Sequence, residues 1–286
     1  MASALRLRVK RSASGGGAAA LFEADFSQTT LSAMGFTNNS ADDTTYTRAT
    51  RSIVTAGGPD GVKNCIRWVH NPKTEAQLEP GNPQGYWGGI GKSAAWTLPV
   101  AGDSLFWHFY VRLQACSQVD NWVDDGGLTV IPNDFRQKTM DIGNGATGSA
   151  RFIMYSAYGQ AQGLGADNSW RWSMSVGTAG QGVGVRPTVT DGWVAIVMQT
   201  TSNTSSQAGN GIFRIAMNND STWDQSNTAV NIDAQEGGNG WDSVSFHSFN
   251  DATVGNVSGT GPSLTIELGG YKVASARDTS WYANML

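Results

Sequence analysis

The sequence predicts an all-β fold, a two-sheet antiparallel sandwich, and three observations carry that prediction. Short apolar or alternating runs recur along the chain, each ended by a cluster of Gly, Asn, Asp, Ser and Pro. Thirty-six glycines, eleven tryptophans and a charged fraction of only 15% leave too little Glu, Lys and Ala to clothe surface helices. No segment keeps a helical period between caps, although residues 75–80 have room for one short turn.

Taken in order, residues 1–20 stand apart as an arm. In "ALRLRVKR" the apolar Leu5, Leu7 and Val9 alternate with Arg6, Arg8 and Lys10, the period of a half-buried strand, and "SASGGGAAA" behind it is a flexible linker. An alternating basic strand on a glycine tether suits docking on another subunit; a frayed terminus is the plainer alternative. Residues 21–286 then read as one domain, opening with "LFEADFSQ". Its strand candidates are "CIRWVH", "SAAWTLP", "SLFWHFYVRLQA", "GLTVIP", "QKTMDIG", "ARFIMYSA", "WRWSMSVG", "GWVAIVMQTT", "GIFRIAMNN", "DSVSFHSF" and "SLTIELGGYKVA". No repeat period appears, which argues against a propeller or solenoid.

Composition excludes several functions. Nineteen basic against 23 acidic residues give a net charge of −4, so no general affinity for nucleic acid is expected. No run of about 18 apolar residues is present, so no membrane insertion is expected. "RLRVKR" followed by "GGGAAALF" makes a poor export signal, being glycine-rich, short and followed at once by Glu23 and Asp25, so synthesis in the cytoplasm is expected. Cys65 and Cys116 lack metal-ligand spacing and are expected as buried free thiols. "GNGATG", Gly143–Gly148, matches a dinucleotide fingerprint, but a strand and not a helix follows it, so a hairpin turn is the better reading.

The order of "LFEADFS", "LFWHFYVRL", "KTMDIG" with "ARFIMYSA", "DGWVAIVMQTT" leading into "NGIFRIAMNND", and a closing "SLTIELGGYKVAS" resembles the concanavalin A-like lectin/glucanase jelly roll, in its polysaccharide-lyase-like branch. The resemblance covers about residues 21–286. It implies a carbohydrate groove on one sheet, a hairpin from Gly192 to Asn218, and a structural calcium where the first and last strands meet. Glu23, Asp25 and Glu267 are the calcium candidates, set against the plainer reading of solvated loop acids. No other cofactor is expected.

Strand alternation selects the candidate groove residues. In "SLFWHFYVRLQ" Leu105, Trp107, Phe109, Val111 and Leu113 share the core face, while Phe106, His108, Tyr110, Arg112 and Gln114 share the other. A lyase acting on a uronate needs a cation, a base and an acid, roles that Arg112, His108 and Tyr110 could fill. With Lys138, Arg151, Tyr155 and His247 on neighbouring strands, the same residues would line a site for a polar, anionic glycan. Trp107 and Trp193 are expected to pack, whereas Trp87, Trp122 and the pair Trp170 and Trp172 are candidates for sugar stacking or a subunit contact.

A carbohydrate-type jelly roll, a missing export signal and a basic arm together suggest a non-enzymatic structural protein outside a phage-like virion. It would decorate a capsid or tail in multiple copies, dock through residues 1–20 and contact host polysaccharide. The alternative is a polysaccharide lyase or depolymerase.

Overall fold

The computed structural model describes residues 20–38, 49–70, 86–93, 102–114, 136–143, 152–158, 170–176, 181–183, 192–205, 208–230, 243–250 and 264–285. The strands are β1 (Ala20–Glu23), β2 (Thr37–Asn38), β3 (Ala49–Val54), β4 (Cys65–His70), β5 (Tyr86–Ser93), β6 (Ser104–Gln114), β7 (Arg136–Gly143) and β8 (Phe152–Tyr158). They continue with β9 (Trp170–Val176), β10 (Gln181–Val183), β11 (Val194–Thr201), β12 (Gly211–Met217), β13 (Gln225–Val230), β14 (Ser243–Asn250) and β15 (Leu264–Ala274). One 3-10 turn, Ala283–Met285, follows.

Two antiparallel sheets form the jelly-roll sandwich expected from the sequence. The eight-stranded sheet runs β13-β12-β11-β6-β15-β4-β3, with β1 added beside β15; the seven-stranded sheet runs β10-β9-β8-β7-β14-β5-β2. The Gly192–Asn218 segment makes its hairpin, β11 pairing with β12 from Ile196–Met217 to Thr201–Ile212. "GNGATG" is followed by β8, which pairs antiparallel with β7, as the hairpin reading requires.

Alternation in β6 sends Leu105, Trp107, Phe109 and Val111 into the core, all buried, alongside Ile196, Met198, Phe213, Ile215, Ile266 and Trp68. The Trp107 indole N–H is satisfied by the Thr200 hydroxyl at 2.9 Å. On β15 the register slips between Leu268 and Gly270, so Gly269 is the extra residue of a bulge. The bulge resets parity, and Glu267 and Lys272, five apart, consequently share the outer face while Tyr271 and Val273 turn inward.

β11 is buried along nearly its whole length, whichever way its residues point. A continuous apolar run such as "VAIVM" demands cover on both faces. The other sheet covers one. The segment after β15 covers the other: Trp281 joins Tyr110, Ala195 and Val197 in a second apolar cluster, with Trp193, Trp223, Tyr282 and Met285 packed around it. Gly270 makes room for this layer, since a Cβ there would sit 2.5 Å from the Tyr110 ring.

Trp170 opens β9 with Trp172 two residues on, and Trp87 is the second residue of β5, so all three lie near strand ends. The arm before Ala20, the runs "GLTVIP" and "AAWTLP", residues 75–80, Trp122 and Cys116 lie outside the described residues. Among the described residues no helix is long and apolar enough to cross a membrane.

Candidate functional site

The single groove expected from the sequence divides between the two sheets. Tyr110 and Arg112 stand on β6 in the eight-stranded sheet, while Lys138, Tyr155 and His247 belong to β7, β8 and β14 of the seven-stranded sheet. Arg151 lies outside the described residues. The physical reason is that alternation assigns a residue to a face of its own strand but says nothing about the sheet that strand joins.

His108 is sealed from any ligand, and Tyr110 keeps only an edge, 8% exposed, on a pocket it lines with Glu23, Lys272 and Asp278. His108 is 0% exposed, and its Nε2 accepts the backbone N–H of Asp278 at 2.9 Å. Tyr110 stacks on Trp281 with centroids 4.2 Å apart and planes 3° apart, and its hydroxyl donates to the Trp281 carbonyl at 2.6 Å. The covering segment is held from every side. Lys272 pairs with Asp278 at 2.8 Å. Asp220 accepts the N–H groups of Tyr282 and Ala283 at 2.7 and 2.9 Å. Arg277 donates to the carbonyls of Asn219 and Thr222 and lies over the Trp223 ring at 4.2 Å. The His108–Tyr110 part of the expected catalytic row is therefore a seat for the chain's own residues 277–285.

Burial pushes His108 down to about 4, against the pull of the nearby Asp278 carboxylate. Burial alone would raise Asp278, but the Lys272 ammonium and the Ser280 hydroxyl and amide hold it at about 2. A histidine that must stay neutral in the fold contributes stability present above its ordinary value of 6.5 and lost as pH falls toward about 4. Stability measured by urea unfolding is expected to drop by on the order of 3 kcal/mol across that window. In His108→Gln, which keeps an acceptor for the Asp278 amide but cannot titrate, the drop across that window should be smaller by the same amount.

Arg112 is engaged differently. Register places Glu267 between Arg67 on β4 and Arg112 on β6, and each guanidinium donates its Nε–H to one carboxylate oxygen, Arg67 at 2.6 Å. The Glu267 side chain is 0% exposed. Glu267 is thus an arginine partner, correcting its place in the expected calcium set. Asp25 is exposed, bound to the Ser27 hydroxyl and amide and to Gln28, which hold its carboxyl below the usual range. Glu23 lines a pocket of about 170 Å³ with Asp60, Lys63 and Asn284. Among the described residues no group of three or more His, Cys, Asp or Glu is placed to hold a metal ion. Beneath Glu267, Cys65 is a buried free thiol, pushed up to about 12 by burial and the adjacent carboxylate.

In the seven-stranded sheet the register unites residues that the sequence could only name. Lys138 pairs directly with Tyr155, Tyr155 with Ser173, and on the other side Lys138 with Phe249 and Phe249 with Tyr86. In-register positions share a face. A second row, Arg136, Ala157 and Arg171, lies one alternation away on that face. The alternate register positions, Phe152 with Val176, Met154 with Met174 and Ser156 with Trp172, form the other set of these strands. His247 sits in β14 at the irregularity between Phe246 and Ser248, one strand from Lys138. Tyr86, Arg136 and Arg171 were missed from sequence: β5 is glycine-rich, and which strands meet Lys138 and Tyr155 is set by cross-strand register, which no local pattern states.

No family model matches the chain, and no curated protein matches it. Among solved structures it is similar to the endo-β-1,4-glucuronan lyase from the fungus Trichoderma reesei, at 13% identity over 84% of this chain and 95% of that one, with a TM-score of 0.48. It is similar also to the PL-14 alginate lyase from Aplysia kurodai, at 8% identity over 91% and 100% of the two chains, TM-score 0.46. A third similarity is to the CBM2 module of the evolved Dit of Lactobacillus casei BL23 phage J-1, at 12% identity over 90% and 95%, TM-score 0.43. Similarity at this level assigns no residue of the chain a role.

Proposed function

We propose that the chain is a non-enzymatic glycan-recognising sandwich carried on the exterior of a phage-like particle, with residues 1–20 docking on a neighbouring subunit. The observation that carries the glycan part is the register of the seven-stranded sheet. The row Tyr86, Phe249, Lys138, Tyr155 and Ser173 crosses five strands, a span of roughly 19 Å at the usual strand spacing, with Arg136 and Arg171 in the next row. Aromatic and cationic positions interleaved over that span suit an acidic polysaccharide lying across the strands. The basic, alternating arm on its glycine linker supports docking, and the same features suit display in many copies.

The second reading, a polysaccharide lyase, draws on the same row, because direct pairing of Lys138 with Tyr155 brings two proton-transferring residue types together. One assay separates the two. The protein is run through gels cast with an acidic or a neutral polysaccharide, and in parallel incubated with uronate polymers while ultraviolet absorbance of the unsaturated product is followed. Retardation in the acidic gel without rising absorbance is expected, and Lys138→Ala should weaken retention by about tenfold, as for one charge-assisted hydrogen bond. Product accumulation abolished by Lys138→Ala would establish the lyase instead. Loss of activity in His108→Ala would not, since that side chain is buried in the fold.

A further inference from the structure

We propose that Arg67 and Arg112, held side by side by Glu267 on the outer face of the eight-stranded sheet, form a second site, one that takes a single carboxylate or sulfate group. Neutralising one buried carboxylate needs one guanidinium, and here there are two, leaving a net positive charge of one on a partly desolvated face. Their side chains are 33% and 21% exposed, so the pair reaches the surface although its carboxylate does not.

Among the described residues the pair also keeps free donors. An arginine carries five N–H donors. Each of these spends its Nε–H on Glu267, and among the described residues the terminal nitrogens of Arg67 and Arg112 have no hydrogen-bond partner. No second carboxylate pairs with either arginine among the described residues. Both guanidiniums are already oriented, one end tied to a buried oxygen and Arg112 lying over the Trp193 ring at 4.8 Å, so little freedom is lost when an anion binds. Register carries the row outward to Ser52 on β3, an exposed hydroxyl opposite Arg67. A flat or tetrahedral oxyanion receiving N–H groups from two guanidiniums fits this arrangement, whether it comes from a uronate carboxylate or a sulfate ester.

The site is independent of the row on the other sheet. Arginine Nε–H signals of the full-length 15N-labelled protein are followed at constant ionic strength with sodium sulfate, sodium glucuronate, sodium chloride and glucose. The signals of Arg67 and Arg112 should shift saturably with sulfate or glucuronate, with a Kd of order 1 mM, while those of Arg214 and Arg277 stay in place. Tighter binding of sulfate points to sulfate esters, and tighter binding of glucuronate to uronates. Arg67→Lys, which keeps the charge and loses the fork, should weaken the response about tenfold. It leaves Glu267 both cations, so the fold is retained. Lys138→Ala should leave the response unchanged, whatever it does to polysaccharide retention. Shifts that rise linearly on all arginines, an equal response to chloride or glucose, or an unchanged Kd in Arg67→Lys would overturn the proposal.

Discussion

Trp281→Ala lowers the unfolding free energy by about 4 kcal/mol, the range for removing a buried indole. Trp281 is buried, and its ring is the upper layer of a stack in which Gly270 lies beneath Tyr110 and Tyr110 beneath Trp281. Its indole N–H also reaches the Phe109 carbonyl at 3.4 Å. Alanine retains the backbone carbonyl that accepts the Tyr110 hydroxyl, so the loss isolates the ring. Without it Tyr110, Ala195 and Val197 face water beside the wholly apolar first half of β11. Trp281→Phe should recover most of the loss, keeping the stack and forgoing one long hydrogen bond. Urea unfolding followed by circular dichroism measures both variants; a cost below about 1 kcal/mol for alanine would mean that the segment is not bound as described.

Glu267→Leu should cost about 3–5 kcal/mol, the penalty for removing one partner of a buried ion pair. The substitution strands two guanidiniums against each other with no carboxylate between them. The triple variant Arg67→Met, Glu267→Leu, Arg112→Met should recover most of that stability, because apolar side chains of similar volume avoid the desolvation cost altogether. Equal instability of the single and triple variants, measured by denaturant unfolding, would show that the network's value lies in packing and not in charge. The triple variant also lacks the proposed anion site, so stability and anion binding separate in one protein.

Much of the sandwich was legible before the structure. "CIRWVH" and "SLFWHFYVRLQA" mark β4 and β6 to within a residue, and the parity of Trp107, Phe109 and Val111 assigns the core face of β6 correctly. β3 and β13 escaped notice because "ATRSIV" and "QSNTAV" are polar edge strands without an alternating apolar set. The candidate site was harder to read. His108 and Lys138 look alike in sequence, each in the polar half of a strand, yet one is sealed and the other stands in the sheet opposite. What seals His108 is "RDTSWYANM", where Trp281, Tyr282 and Met285 crowd into a single turn too short to show a period. The one available hint was "VAIVM" itself, whose apolar residues on both parities already called for a second cover. Pairing across strands is a long-range property, and no local pattern states that Glu267 will meet Arg67 and Arg112.

The position of β15 also governs the order of events at synthesis. It lies between β6 and β4, yet β6 ends at Gln114 and β15 begins at Leu264, with β1 completing the same edge. No part of the eight-stranded sheet on one side of β15 can join the other until residue 274 has cleared the ribosome. The nascent chain therefore holds β4 and β6 as unpaired edges through most of translation, and closure is a slow, late step dominated by non-local contacts.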